Sequence, residues 1–170
     1  MLQENCYVMH DETKECVIID CGAYYQTEQQ AIVNYIRDNT LTPKHLLSTH
    51  GHLDHNYGIG TIYEEFGLKP CVAEGDKHFM ETLNEQALNL FGQHLTTHFP
   101  PIGHIFEENE TITFGNTTLD VIETPGHSRG SVCFHVAKDH ILFAGDTLFR
   151  GSIGRTDLEG GSMMQIIQSL

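Results

Sequence analysis

The stretch Ser48-Thr49-His50-Gly51-His52-Leu53-Asp54-His55-Asn56-Tyr57-Gly58 packs three imidazoles and one carboxylate into six positions, 50 to 55. Histidines two apart on extended backbone point the same way, so His50 and His52 can grip one ion. Asp54 and His55 follow where the chain must turn. Upstream, His45-Leu46-Leu47-Ser48-Thr49 reads as a buried strand, and downstream Ile59 to Phe66 has helical spacing. The cluster therefore sits at a strand's carboxyl end, where α/β folds place ligands. A solvated, His-rich turn is the plainer alternative, and segments far along the chain weigh against it.

Working outward toward the N-terminus, Cys6 to Met9 and Cys16 to Asp20 flank the polar turn His10-Asp11-Glu12-Thr13-Lys14 and predict a β-hairpin. From Thr27 to Asp38 the apolar positions Ala31, Ile32, Tyr35 and Ile36 recur at helical intervals, with Thr27 as the expected N-cap. Pro43 separates this helix from the strand at Leu46. On the other side of the cluster, Lys69 to Ala73 predicts a short strand, closing a strand-helix-strand unit. Gly75 to Phe91 keeps Phe79, Met80, Leu83, Ala87, Leu88 and Phe91 in one helical register, with Gly92 as a stop. Gln93 to Gly103 has no clean period and reads as a surface excursion. His78, His94, His98 and His104 are not spaced like the central cluster and are not expected to be ligands.

Thr111 to Phe114 and Thr117 to Ile122 alternate apolar with polar around Gly115-Asn116, a two-residue hairpin signal. The second of these strands runs into Thr124-Pro125-Gly126-His127-Ser128. Ser131 to Val136 and His140 to Ala144 form another pair around Lys138-Asp139, the latter ending in Gly145-Asp146-Thr147. Three separate strand ends thus offer ligands: His50 to His55, His127 and Asp146. Imidazole and carboxylate without thiolate suit Zn, Fe or Mn. From Ser162 onward a helix begins.

Composition narrows the class. At 170 residues the chain suits one domain, 1–170, with a real core. A formal charge of −14 argues against a nucleic-acid or anionic-membrane partner. The longest apolar runs are strand-length, and Met1 to Cys6 lacks the basic start and apolar core of a signal peptide, so a cytoplasmic protein is expected. Five scattered cysteines form no CxxC pair, which indicates neither a disulfide framework nor a thiolate zinc site. Cys16, Cys71 and Cys133 lie among strand-type residues and are expected to be buried thiols.

The HxHxDH run, followed in order by a Gly-His turn and a Gly-Asp turn, resembles the signature of the metallo-β-lactamase superfamily over nearly the whole chain. The resemblance implies a mixed α/β (α+β) fold, a four-layer αββα sandwich with ligand loops along one edge of the two sheets. It implies that His50, His52 and His127 hold one divalent metal, that Asp54 and His55 hold a second, and that Asp146 bridges them. Zinc is the expected ion, with iron or manganese as alternatives. β-Lactamases of the family lack the His55-type ligand or place cysteine where Asp146 stands, so a β-lactam substrate is not expected. Ala144 to Phe149 and Gly154-Arg155-Thr156-Asp157 look most like the glyoxalase II-like branch, whose opening Asn5-Cys6-Tyr7 and Ile18-Ile19-Asp20 also fit.

That branch implies hydrolysis of a small-molecule thioester of the hydroxyacylglutathione type by hydroxide generated between two metals, with Asp54 also orienting it. A thiolate leaves without a proton donor near neutral pH, which suits a site with no obvious general acid. Glyoxalase II enzymes carry a Lys and a Tyr after the Gly-Asp turn, along with a C-terminal helical domain, to hold glutathione, whereas this chain has Gly154-Arg155-Thr156-Asp157. The same motif resembles persulfide dioxygenases, which use a single iron. Arg155 either binds a substrate carboxylate or forms a surface pair with Asp157. The family also places one more histidine beyond a helix and a strand after the Gly-Asp turn, and no histidine follows Asp146 here. The expectation is an incomplete domain, truncated at the C-terminus and short of the first strand at the N-terminus. Its second metal would be weakly held and its catalysis impaired. The oligomeric state is left open.

Overall fold

A computed structural model describes residues 4–92 and 95–170. Among the elements expected above, Gln93 and His94 lie outside the described residues, as do Met1, Leu2 and Gln3. The first sheet opens with the expected hairpin, β1 (Tyr7–His10) antiparallel to β2 (Glu15–Ile19), in the register Tyr7 to Ile19 and His10 to Cys16. It continues in parallel through β3 (Thr42–Leu47), β4 (Pro70–Ala73) and β5 (His104–Phe106), in the order β1-β2-β3-β4-β5. Between the strands run α1 (Gln26–Asp38), α2 (Ile59–Phe66), α3 (Lys77–Glu81) and α4 (Leu83–Phe91). The second sheet is an antiparallel meander of β6 (Thr111–Phe114), β7 (Thr117–Glu123), β8 (Val132–Val136) and β9 (Ile141–Phe143). A ribbon of β10 (Leu148–Phe149) and β11 (Ser152–Ile153) and the helix α5 (Met163–Ser169) complete it.

The period of two along the strands assigns the layers. On β2, Cys16 and Ile18 turn toward the helices while Val17 and Ile19 turn toward the second sheet. Leu46 and Leu47 divide the same way on β3, as do Val72 and its neighbours Cys71 and Ala73 on β4. The helix side is filled by Ile36, Ile59, Ile62, Leu83 and Ala87. The inter-sheet side meets Ile112, Phe114, Leu119, Val121, Val132, Phe134 and Val136. Each such Val, Leu, Ile or Phe contributes roughly 1.5–3 kcal/mol by burial. The parallel strands are therefore apolar on both faces, which is why β2 reads as a continuous apolar run. Alpha helices, first sheet and second sheet follow in order, and α5 packs on the turn after β7. The fold is mixed α/β with the αββα arrangement of layers. No helix among the described residues is long and apolar enough to cross a membrane.

Two local expectations need correction, and one strand was not foreseen. Thr27 is not the N-cap of α1: the cap is Tyr25, and the Glu28 carboxylate accepts from the backbone N–H groups of Tyr24 (3.1 Å) and Tyr25 (3.0 Å). The helix expected over Gly75 to Phe91 is two helices, preceded by a 3₁₀ turn at Glu74–Asp76 and broken at Thr82. At the break the Thr82 hydroxyl donates to the His78 carbonyl at 2.7 Å, and Gln86 Nε2 donates to the Phe79 carbonyl at 2.7 Å. Gln86 also accepts from the Leu53 N–H at 2.9 Å, so the change of axis brings α4 onto the histidine loop. Finally, the short strand β5 follows directly after the stretch expected to be irregular and was not anticipated. Its three residues pair with β4 in the register Cys71 to His104 and Ala73 to Phe106.

Candidate metal centre

β2, β3, β7 and β9 all end at one edge of the sandwich, and the loops that follow them build one site. Asp20, directly after β2, holds the histidine loop in place. Its carboxylate accepts from the Thr49 N–H and the Thr49 hydroxyl, both at 2.7 Å, and its Oδ2 lies 3.1 Å from His55 Nδ1. Asn56 accepts from the Ser48 hydroxyl (2.7 Å) and donates to the carbonyls of His50 (3.1 Å) and His52 (2.8 Å), so the loop closes on itself. Fully buried Asp76 reaches from the first sheet's side to the second. It accepts from Gly51 N–H (2.8 Å), the Ser128 hydroxyl (2.6 Å) and Gly130 N–H (2.7 Å).

Within this frame the imidazoles converge. The rings of His50, His52 and His127 stand 4.7–4.8 Å apart, centre to centre, near right angles to one another. His52 Nδ1 and His127 Nε2 are 2.9 Å apart. One ligand atom from each of the three lies within 4.8 Å of the others, and the same holds for His50, His55 and Asp146. The two Asp146 oxygens divide between these groups: Oδ1 is 3.2 Å from His55 Nε2 and Oδ2 is 3.5 Å from His127 Nε2. Asp54 belongs to neither group and instead lines two cavities.

The donor set fits a cation on grounds of its own chemistry. His50 Nδ1 is 3.0 Å from the Thr49 hydroxyl, while its Nε2 is buried with no hydrogen-bond partner among the described residues. That orphaned atom points to a ligand. Burial, with the neighbouring imidazoles, holds His50 well below the usual histidine pKa and brings His52 down to about 4, so both are neutral, as metal ligands must be. His127 Nδ1 is tied to the Arg155 carbonyl at 2.8 Å, leaving Nε2 for the centre. On the other side burial opposes a charge on His55, but Asp20 and Asp146 together hold its pKa well above the ordinary value. This half thus calls for positive charge between its carboxylates. Burial also raises Asp54 and pushes Glu4 up to about 7.

The side chain of Arg155 belongs to neither group of donors. Its guanidinium pairs with Asp157 through Nε to Oδ1 (2.8 Å) and NH2 to Oδ2 (2.7 Å), both side chains more than half exposed. What residue 155 gives the site is its backbone carbonyl, and Gly154 makes the approach possible: a Cβ there would fall 1.8 Å from the Asp146 carbonyl oxygen. His78, His98 and His104 lie away from the centre, His104 paired with Glu110 at 2.8 Å. Asp76, Asn56 and Gln86 were not anticipated. Asp20 had a usable signal, since it ends an apolar strand at the same edge as the cluster.

A family model described as the metallo-beta-lactamase superfamily matches residues 1–169. A hydroxyacylglutathione hydrolase, GloC of Haemophilus influenzae, is 34% identical over 99% of this chain and 77% of its own length. Among solved structures, the BLEG-1 B3 metallo-beta-lactamase aligns with a TM-score of 0.86 at 34% identity, covering 97% of this chain and 77% of that one. TTHA1623, solved in a di-iron-bound form, aligns with a TM-score of 0.82 at 30% identity, covering 99% and 79%.

Proposed function

Because the chain belongs to the metallo-beta-lactamase superfamily, we propose that it is a metal-dependent hydrolase acting on small-molecule thioesters of the hydroxyacylglutathione type. The observation that carries this is the division of Asp146, one oxygen toward His55 and one toward His127, between two groups of converging donors. His50, His52 and His127 would hold one divalent ion, and His55 with Asp54 a second, with Asp146 common to both. Zinc, iron and manganese all suit these ligands. Bound there, such ions supply Lewis acidity toward a carbonyl oxygen and make water a nucleophile near neutral pH.

The chain's own residues do the rest. Asp20 and the Arg155 carbonyl fix the tautomers of His55 and His127, so that each presents Nε2 inward. Asp54, which lines both cavities, would also orient the attacking nucleophile. No side chain is needed as a donor to the leaving group, because a thiol with a pKa of about 8.5 departs as thiolate. The free thiols of all five cysteines support a reducing, cytoplasmic setting. The acidic balance supports a small-molecule partner over nucleic acid or anionic membrane.

The test is metal analysis of the purified protein beside turnover of a hydroxyacylglutathione, a simple acyl thioester and a chromogenic β-lactam. Thioester hydrolysis should dominate, and Asp146→Ala should lose metal and at least about 100-fold in rate together, since even outer partners of ligands are worth 10–100-fold. Full activity in that variant would remove the shared-carboxylate arrangement. Preference for the β-lactam would move the chain toward BLEG-1. Oxygen uptake on a persulfide with iron as the only metal would favour an oxidoreductase.

A further inference from the structure

Asp54 lines two cavities, and the proposed hydrolysis accounts for one of them. The cavity of about 410 Å³ opens over His55 and Asp146. A second, of about 380 Å³, lies on the α1 side and shares only Glu4 and Asp54 with the first. Its walls combine three tyrosines, Tyr24, Tyr25 and Tyr57, with three carboxylates, Glu4, Glu28 and Asp54, and no Lys, Arg or His lines it among the described residues.

The tyrosines form a corner rather than a stack. Tyr24 meets Tyr57 with ring centres 4.9 Å apart at 73°, and meets Tyr25 at 5.1 Å and 82°. Ring faces carry negative charge density and draw ammonium groups, an attraction that strengthens as the cation sheds water. The amino end of α1 also lies here and would ordinarily favour an anion. A negative charge already stands there, however, because the Glu28 carboxylate lies in the first turn of α1 and accepts from the N–H groups of Tyr24 and Tyr25. In the same lining Glu4 Oε2 is buried with no hydrogen-bond partner among the described residues, an acceptor still lacking a donor. Aromatic faces, a described lining without cationic side chains and an unmatched acceptor ask for the same complement.

We propose that this cavity is a subsite for an organic ammonium group carried by the substrate. The assignment rests on the neighbouring centre being where the scissile bond lies, since the wall shared at Asp54 lets one molecule occupy both places. It narrows the substrate class to thioesters bearing a free amino or quaternary ammonium group on the acyl or the thiol side. A carboxylate at the same position would meet no cationic side chain among the described lining residues.

The experiment measures binding without turnover. Calorimetric titration of the metal-loaded protein compares choline with its uncharged isostere 3,3-dimethylbutan-1-ol, which fills the same volume. Choline should bind at least about 5-fold more tightly. Glu4→Gln and Tyr25→Leu should each remove most of that preference while far-UV circular dichroism and metal content stay unchanged. Tyr25 is 54% exposed, so its replacement leaves the core intact. Equal binding of the two probes, no binding of choline, or a preference that survives both substitutions would overturn the assignment. Selective binding in a protein that hydrolyses no thioester would keep the subsite and discard the thioester function. Hydrolysis without selective binding would do the reverse.

Discussion

The two ends of the sandwich are joined by the same device and differ in what surrounds it. At the metal-binding edge Asp76 crosses from the first sheet's side to the loop after β7, taking Gly51, Ser128 and Gly130 as donors, and it is fully buried. At the opposite end Asp11, in the β1–β2 turn, crosses to the β6–β7 turn, accepting from Asn116 N–H at 2.6 Å and the Thr117 hydroxyl at 3.1 Å. Glu15 adds the Gly115 N–H at 2.6 Å. Both ends use carboxylates to bind backbone donors of the other sheet. Water competes for the donors at one end and is excluded from the other, so equal bond lengths conceal unequal consequences.

The largest effect is expected from Asp76→Ala. It would leave the buried N–H groups of Gly51 and Gly130 without acceptors, at about 1–3 kcal/mol each, and would take from the Ser128 hydroxyl one of its two partners, the other being Ser131 Oγ at 2.7 Å. A loss of roughly 3 kcal/mol or more should appear as a lower urea midpoint with unchanged slope. Gly51 lies between His50 and His52, and Ser128 follows His127, so metal affinity should fall with stability. A variant as stable as the parent would show that the buried end is no stronger than the exposed one.

Asp20→Asn sharpens the same contrast inside the site. The amide keeps one acceptor for Thr49 but presents N–H groups toward His55 Nδ1, disturbing the tautomer that leaves Nε2 free. Chelator-competition titration should show one metal weakened by about 10–100-fold and the ion at His50, His52 and His127 little changed. Equal loss of both metals would mean that Asp20 acts on the whole loop through Thr49.

What could be read in advance follows the same division. The positions His50, His52, His55, His127 and Asp146 are visible because each sits where an apolar, alternating stretch gives way to a turn, and strand ends at one edge must meet. Asp76 could not be seen this way. It lies in a stretch of helical period, where an acid reads as an ordinary first-turn residue, and its partners are 52 and 54 residues away. Residue 155 was visible only as a charge, while its contribution to the site is a carbonyl that any residue possesses. The break at Thr82 was hidden because the apolar period runs through it unchanged. The cue for β5 was weak: three residues in an edge strand whose pairing depends on β4.

The smallest effect belongs to the exposed end, and its sign can be worked out. The hydroxyl of Thr13, with the N–H groups of Asn116 and Thr13, holds the Asp11 carboxyl down to about 2 from an ordinary 3.8. A carboxylate depressed in the folded state adds stability that is complete above the unfolded value and disappears as pH falls through the folded one. The contribution of Asp11 should therefore be whole above about pH 4 and lost progressively toward pH 2. Asp11→Asn should show a slightly lower urea midpoint than the parent at pH 5, and the two curves should approach each other by pH 2.5. Because the side chain is open to solvent, added salt should shrink the gap further. A gap that stays constant from pH 5 to 2.5 would show that the turn is held by shape and not by the carboxylate's charge. The opposition between the buried and exposed ends would then rest on Asp76 alone.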